Sequence, residues 1–342
     1  MYLKTKLYNK IMKALKLLII TIFSCCKTFP LPAQTKNSTV TIVNWNLQCF
    51  FDSVTEGTEY TEFLKAKNWG KDAYQTRLQR LSESIKKINA DIFVFEEIEN
   101  QNVIMDISNM LSDFSFNRKK NWNYAVFAKN PGESIGCAVL SRHPVQEYTL
   151  HNLDIRIDSQ KQPAMRPIIR VILDINGTPL TLLVNHWKSK SGGEEKSEIW
   201  RDWQESNLSE LFNEARAENQ NVVACGDFNR DIKEFLKTGG EANFCLRKLH
   251  PEPGGSYRQV ENTPVINPWY NEKDQLLEPG SYYFNESFER IDSFFVSPAV
   301  KILDFSPLKG AWSTDEGVPV KFQIYSGQGY SDHLPVQCTI LF

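Results

Sequence analysis

Asp91-Ile92-Phe93-Val94-Phe95-Glu96-Glu97 is an apolar run that stops on acid. Ile92 to Phe95 are β-branched or aromatic, the composition of a strand buried on both faces. Just before it, Tyr74, Leu78, Leu81, Ile85 and Ile88 recur at alternating spacings of four and three. That is one face of an amphipathic helix, with Arg77, Arg80, Lys86 and Lys87 expected elsewhere on its surface. The pattern then returns. A helix from about Ser197 to Ala217, with Trp200, Trp203, Leu208, Leu211 and Ala215 on one side, leads to Val222–Cys225 and then to Asp227.

Working outward, further short apolar runs read as strands: Val40–Leu47, Ile135–Ser141, Ile168–Ile175, Leu180–Asn185, Ile291–Val296 and Leu334–Leu341. Several follow one another through short turns, so the sheets are expected to be mixed and mostly antiparallel. An α/β (α+β) sandwich of two sheets fits this better than a doubly wound parallel sheet. No linker-like stretch divides the chain after residue 40, so 38–342 is expected to be a single catalytic domain. Phe50–Lys71 and Leu246–Glu289 carry acids, aromatics, Pro and Gly, and are expected to be long surface loops that select substrate.

The first 24 residues hold five lysines (Lys4, Lys6, Lys10, Lys13, Lys16) and no acid, then the apolar run Leu17 to Phe23. A basic stretch followed by a short apolar one is the pattern of a secretory signal, and the run is too short to span a bilayer. Residues 1–33 are therefore expected to be a signal, cut near 24 or 33. Ile22-Phe23-Ser24-Cys25 resembles a bacterial lipobox, so Cys25 is a candidate lipid anchor to the membrane, and Leu31-Pro32-Ala33 is the alternative cleavage site. The expected location is the bacterial periplasm, the cell surface or the outside. The whole chain has 39 basic and 41 acidic residues, a charge of −2, and loss of the five lysines makes it −7. Such a chain has no global attraction for polyanions, so a grip on nucleic acid must be local. Cys49, Cys137, Cys225, Cys245 and Cys338 are odd in number and match no zinc spacing; they read as buried small hydrophobes.

Polar residues mark the strand ends. Asn46 closes Val40–Leu47, Glu97 follows Asp91–Phe95, His186 follows Leu180–Asn185, and Asp227 and Asn229 follow Val222–Cys225. On the returning strands they come first, as Asp292 at the start of Ile291–Val296 and Asp332-His333 ahead of Leu334–Leu341. In antiparallel or mixed sheets all of these positions can share one rim. Each alone reads equally well as a turn residue or a structural histidine; jointly they line a cleft with carboxylates, amides and two histidines. Hard oxygen ligands hold Mg²⁺, which binds phosphate, and a histidine oriented by a carboxylate moves protons near neutral pH.

These pieces, in order, are Asn44-Trp45-Asn46-Leu47, Ala90 to Asn100, Leu140-Ser141-Arg142-His143-Pro144, Val184 to Lys190, Gly226-Asp227-Phe228-Asn229, Arg290 to Ser297 and Ser331-Asp332-His333-Leu334-Pro335-Val336. The chain thereby resembles the endonuclease/exonuclease/phosphatase superfamily, of the deoxyribonuclease-like and exonuclease III-like kind, as a bacterial exported member. The resemblance implies a four-layer α/β sandwich of two mixed, mostly antiparallel sheets flanked by helices. It implies metal ligation by Asn46, Glu97 and Asp332, with Mg the expected ion and Mn or Ca possible substitutes. It implies catalytic roles for His186, Asp227, Asn229, Asp292 and His333. Asp227 would orient or deprotonate the attacking water, Asn229 would contact the phosphate, and His333 would pair with Asp292. Two positions depart from the family pattern. Gln48 stands where some relatives carry an aspartate, which puts a second metal site in doubt. Glu96 stands in place of a glutamine and, if it points into the core, needs a partner.

The segment Val184–Lys190 resembles that of bacterial extracellular nucleases, and its Lys188 and Lys190, with Arg142 and Arg166, are candidates to meet phosphates. The expected activity is a metal-dependent phosphodiesterase, a secreted or surface-anchored nuclease acting on DNA or RNA. The alternatives are a sphingomyelinase-like phospholipid phosphodiesterase or an inositol-phosphate phosphatase on the same scaffold. A noncatalytic binding module would have no need of Glu97, His186, Asp227 and His333 together. No obligate protein partner is implied.

Overall fold

Alternation along the first strand decides the architecture. Val40, Ile42, Asn44 and Asn46 point one way; Val43, Trp45 and Leu47 point the other; and all seven are buried. A strand buried on both faces must lie between two layers. The computed structural model describes residues 38–112, 121–155, 161–240, 242–252, 256–271 and 273–342. The expected signal segment, its candidate cleavage sites and Cys25 lie outside them. Ser38–Phe342 form one unit.

In chain order the strands are β1 (Thr39–Phe50), β2 (Ile92–Ile98), β3 (Tyr124–Ala128), β4 (Gly136–Ser141), β5 (Val145–His151), β6 (Ile168–Ile175), β7 (Thr178–His186), β8 (Val222–Asp227), β9 (Leu236–Lys237), β10 (Asn243–Pro251), β11 (Tyr257–Ile266), β12 (Tyr282–Phe284), β13 (Ser287–Glu289), β14 (Asp292–Val296), β15 (Lys301–Pro307) and β16 (Val336–Leu341). The helices are α1 (Thr61–Lys65), α2 (Lys71–Ile88), α3 (Gln101–Ser112) and α4 (Glu194–Glu218). A six-stranded sheet runs β15-β16-β1-β2-β4-β3, an eight-stranded sheet runs β5-β6-β7-β8-β14-β11-β10-β9, and β12-β13 is a separate hairpin. Within the two sheets only the β1/β2 and β7/β8 pairings are parallel. Val40, Ile42 and Val94 of the first sheet share a core with Leu182, Ala224 and Phe294 of the second and with Leu208 and Phe212 of α4. Val43, Trp45, Phe93 and Phe95 pack instead on Tyr74, Leu78 and Ile85 of α2 and Ile107 of α3. The mixed, mostly antiparallel two-sheet α/β sandwich expected from the sequence is the observed fold.

Three expectations need correction. Leu246–Glu289 is not one long loop, because its first part lies in β10 and β11, a hairpin inside the eight-stranded sheet. Its prolines and glycines masked a nine-residue and a ten-residue strand whose outward faces are polar. Residues 50–71 contain the short α1. Arg77 is not on the surface of α2; it is 3% exposed. Its guanidinium donates to the carbonyls of Leu47 (2.8 Å), Gln48 (2.8 Å) and Cys49 (3.0 Å). It is held between the rings of Phe50 (4.4 Å) and Phe322 (3.6 Å). The reason is local: Gln48 and Cys49 have φ of 51° and 54°, so the end of β1 curls away from its ladder and leaves carbonyls that need a donor. Burial pulls the arginine down to about 9, against the pull of Cys49.

Removing that donor strands three buried acceptors. Arg77→Met is expected to lower unfolding free energy by about 3 kcal/mol or more, read as a fall in the urea midpoint at unchanged slope.

Candidate active site

Glu97 reaches the rim because β2 breaks its own alternation. Glu97 would fall on the helix side with Phe93 and Phe95, but the register shifts between Glu96 and Ile98 and Glu97 has φ 63°. The bulge turns its carboxylate outward, as bulges commonly re-aim a side chain. There Oε2 accepts from the Cys49 amide (2.7 Å) and the Cys49 thiol (2.9 Å). Oε1 accepts from Asn46 Nδ2 (3.3 Å), and the same nitrogen donates to Asp227 Oδ2 (3.0 Å) on the other sheet.

Asp227 ends β8 because Gly226 precedes it. Gly226 has φ 147°, and a Cβ there would lie 1.9 Å from the Asn185 carbonyl oxygen. Only glycine lets β7 and β8 approach so closely at the point where His186 pairs with Asp227. Asp227 Oδ1 accepts from the Asn229 amide (2.8 Å), and Asn229 Nδ2 donates to the Trp187 carbonyl (3.2 Å). On the neighbouring β14, Asp292 pairs with Asp227 in register. Asp231 ties the two turns together, since its Oδ2 accepts from the Arg290 amide (2.8 Å). Behind them Arg230 is fully buried against Glu205 and Asp202 of α4 (2.7 Å each).

His333 arrives from the first sheet, just ahead of β16. Its Nδ1–H donates to Asp292 Oδ2 (2.8 Å), its amide donates to Ser331 Oγ (3.1 Å), and Ser331 Oγ donates to the Asn46 carbonyl (2.6 Å). His186 is 2% exposed, with Nε2 lying 3.7 Å from Asp227 Oδ2 and 3.9 Å from Glu97 Oε1. Asp332 sits on the rim, Oδ1 4.0 Å from His333 Nε2 and Oδ2 3.6 Å from Lys321 Nζ. The structure therefore brings Asn46, Glu97, His186, Asp227, Asn229, Asp292, Asp332 and His333 into one place.

Protonation differs sharply among them. Burial disfavours charge on His333, but Asp292, by charge and hydrogen bond, and then Asp227 and Asp332, hold it well above the usual histidine range. His186 is pushed well below that range by burial, with Arg166 and His333 adding to the effect. Burial lifts Asp227 to about 7; His333 opposes this and Asp292 adds to it. The surroundings therefore favour the imidazolium at His333, the neutral ring at His186 and proton uptake by Asp227.

The positions outside this cluster divide. Lys188 is half-buried just past His186, its Nζ on the Ser189 carbonyl (3.4 Å). Lys190 is held by Glu194 (2.8 Å), Glu234 (3.5 Å) and Glu289 (3.5 Å), so its charge is already answered. Arg142 is not at the site. It pairs with Asp91 (3.4 Å) and stacks on Trp122 (4.1 Å) at the opposite end of β2, roughly 20 Å from Glu97 at about 3.3 Å per residue. Arg166 does face it: its Nη1 donates to the Trp187 carbonyl (3.3 Å), and it hydrogen-bonds Tyr60. Arg166 stands ahead of a returning strand, β6, and the rim rule that found Asp292 points to it equally. Sequence reasoning missed Cys49, because no periodicity places it there; Tyr60 and Tyr282 fall inside the two segments expected to select substrate. Glu96 finds its partner in Asn44, whose Nδ2 donates to Oε2 (3.3 Å); burial, then Asp292 and Asp227, push its carboxyl well up. Gln48 is committed to the backbone of Phe322, accepting from its amide (2.9 Å) and donating to its carbonyl (3.2 Å).

The donor set suits a hard cation. Glu97 and Asp332 offer carboxylate oxygens and Asn46 an amide oxygen, which here accepts from the Gln48 amide (3.0 Å).

Residues 41–243 match the family described as Endonuclease/Exonuclease/phosphatase family. The structure is similar to that of truncated Caenorhabditis elegans TDP2, with TM-score 0.55, 16% identity, and 89% of this chain and 98% of that one covered. It is similar to the human Nocturnin catalytic domain with bound sulfate, with TM-score 0.55, 14% identity, and 88% and 94% covered. It is also similar to an endonuclease/exonuclease/phosphatase family protein from Bacteroides thetaiotaomicron, with TM-score 0.50, 14% identity, and 90% and 99% covered. At these identities the likeness is one of fold. No curated protein matches the sequence.

In Asp292→Asn, titrated by NMR without divalent cation, the His333 ring is expected to titrate at lower pH than in the unmutated protein. Equal titration would mean that Asp292 does not hold the imidazolium.

Proposed function

We propose that this chain, which belongs to the endonuclease/exonuclease/phosphatase family, is an exported, divalent-metal-dependent phosphodiesterase that cuts DNA or RNA. The family has a fold for phosphoester hydrolysis, and its enzymes typically use divalent metals. The observation that carries the reading is the Asp292–His333 pair set against Asp227, Asn46 and Glu97 on one rim.

Glu97, Asn46 and Asp332 would hold the cation, with Mg²⁺ favoured by the oxygen donors. When bound, it neutralises charge on the phosphoryl group and on the departing oxygen. The rest falls to the chain's own residues. Water attacks phosphorus and the bond to the leaving oxygen breaks; Asp227, near 7, accepts the water's proton, and the departing oxygen takes up a proton from solvent to leave as the alcohol. Asn229, fixed by Asp227 and Trp187, contacts the phosphate. His333, held through Nδ1 by Asp292, keeps Nε2–H free to stabilise charge on a phosphoryl oxygen. Neutral His186, between Glu97 and Asp227, donates from Nε2 to another. Arg166 and Lys188 add positive charge at the mouth.

Export is read from the basic and apolar residues 1–24; a cut near 24 would make Cys25 the lipid anchor of a surface protein, and a cut near 33 would release the chain to the periplasm or the medium. The −7 charge after removal of that segment suits a scavenging nuclease rather than a processive one.

The test incubates the protein with plasmid DNA, RNA, sphingomyelin and inositol phosphates, in Mg²⁺ or in EDTA. DNA or RNA is expected to be cut in Mg²⁺ only, and His333→Ala to lose about 10²–10⁴-fold in rate. Cleavage of sphingomyelin or inositol phosphates alone would replace the substrate; no metal-dependent cleavage of anything would end the enzyme reading.

A further inference from the structure

The hairpin β12–β13 stands directly beside His333. Asn285 and Glu286 close it, with φ of 46° and 60°, the paired left-handed conformation of a tight two-residue turn. Its base is tied to the catalytic segments. The Ser281 carbonyl accepts from the Leu334 amide (2.7 Å), Ser281 Oγ accepts from the Asp292 amide (3.1 Å), and Tyr282 forms a β-bridge with His333. The hairpin and the catalytic histidine are one rigid piece.

On one face of the hairpin the rings fall in a row. Tyr282 lies against His333, centroids 4.7 Å apart and tilted 36°. Phe284, two residues on and so on the same face, follows at 6.2 Å and is nearly parallel, at 12°. Tyr283 points to the other face and packs on Phe288 (4.8 Å). The row starts at a buried histidine and ends on Phe284, which is 54% exposed. A lone exposed phenylalanine is ordinary. One locked in a type of turn that fixes its direction, parallel to a ring that touches the catalytic histidine, is a surface prepared for another flat ring.

We propose that Phe284, backed by Tyr282, is a stacking platform for the nucleobase of the nucleoside adjoining the scissile phosphate, so that the substrate class is nucleotide-bearing phosphodiesters. This rests on the nuclease reading above. One feature favours a base over a membrane: the tip of the hairpin is Asn285-Glu286, polar and acidic where an inserting hairpin would be apolar. Stacking also answers the charge problem, since a chain of charge −7 without its leader has little general pull on a phosphate backbone and must find affinity elsewhere.

The experiment compares the wild-type protein, Phe284→Ala and Phe284→Trp on a single-stranded oligonucleotide and on an oligomer of equal length built from abasic tetrahydrofuran sites. Expected is a roughly tenfold rise in KM for the oligonucleotide in Phe284→Ala, with kcat within about twofold. Phe284→Trp is expected to restore KM, and both variants to match the wild type on the abasic oligomer. An equal loss on both oligomers would overturn the platform while leaving the nuclease intact. So would unchanged KM in Phe284→Ala, or loss of binding to phosphatidylcholine–sphingomyelin vesicles in its place. Wild-type protein that cuts neither oligomer, in the Mg²⁺ conditions above, would remove the nuclease reading and the platform with it.

Discussion

One amide holds the site together. Asn46 Nδ2 donates to Glu97 Oε1 on its own sheet and to Asp227 Oδ2 on the facing one. The two sheets of the sandwich share an apolar core almost to its top, and there the inward positions turn polar. Asn44 meets Glu96, Asn46 meets Asp227, and His333 meets Asp292. Such a seam is costly, because a buried group left unpaired costs more than a paired one contributes, and Asn44 Oδ1, Glu96 Oε1, His186 Nδ1 and Asp292 Oδ1 have no hydrogen-bond partner among the described residues. The polar cluster is thus also the way the sandwich closes at this end. That explains why its supports are so many: the Ser331 hydroxyl on the Asn46 carbonyl, the Trp45 indole on the His333 carbonyl, and Asp231 on the Arg290 amide.

Apolar runs were enough to read eight of the sixteen strands, and strand-end polarity placed the eight polar residues of the cluster; β3, β5, β9 to β13 and β15 were not read. Ile168–Ile175 is observed over the same residues expected from its apolar run. What the sequence did not disclose follows from tertiary partners. Arg77 looks solvated on a helical wheel and is buried because β1 curls at Gln48 and Cys49 and exposes carbonyls to it. Arg142 stands one residue past a strand end, but at the wrong end, since β4 runs antiparallel to β2 and brings Ser141 beside Ile92 rather than beside Glu97. Lys190 carries a charge suited to phosphate, yet acids distant in sequence, Glu234 and Glu289, converge on it. Period and spacing place a residue on a face or a rim; they do not say which charge another element has brought there.

The departures at Gln48 and Glu96 have opposite outcomes. Gln48 is consumed by a structural task, with both ends of its amide on the backbone of Phe322. That pins the segment which, with Arg77 and Phe50, closes over the end of β1. A second cation ligand there would have to break that clamp. Glu96 keeps its carboxyl inside the seam, where burial and the neighbouring carboxylates favour the protonated form. A neutral acid at that position does what an amide would do: it occupies an inward site beside Asp227 and Asp292 without adding a further negative charge.

The two histidines show why burial alone does not set a site's chemistry. Both are buried, and burial disfavours charge on both. His333 has a carboxylate in hydrogen-bond contact and two more nearby, so the attraction outweighs desolvation. His186 has Glu97 and Asp227 only at 3.7–3.9 Å, with Arg166 and the His333 imidazolium opposing a second positive charge. The state of each ring therefore depends on the other: charging His333 is part of what keeps His186 neutral. Asp227 lies against both, and its own proton affinity, close to 7, is where that balance settles. Moving Asp292 away from His333 would release all three at once, which is why the hydrogen bond between Asp292 and His333, rather than either residue alone, is the element on which the reactivity of the rim turns.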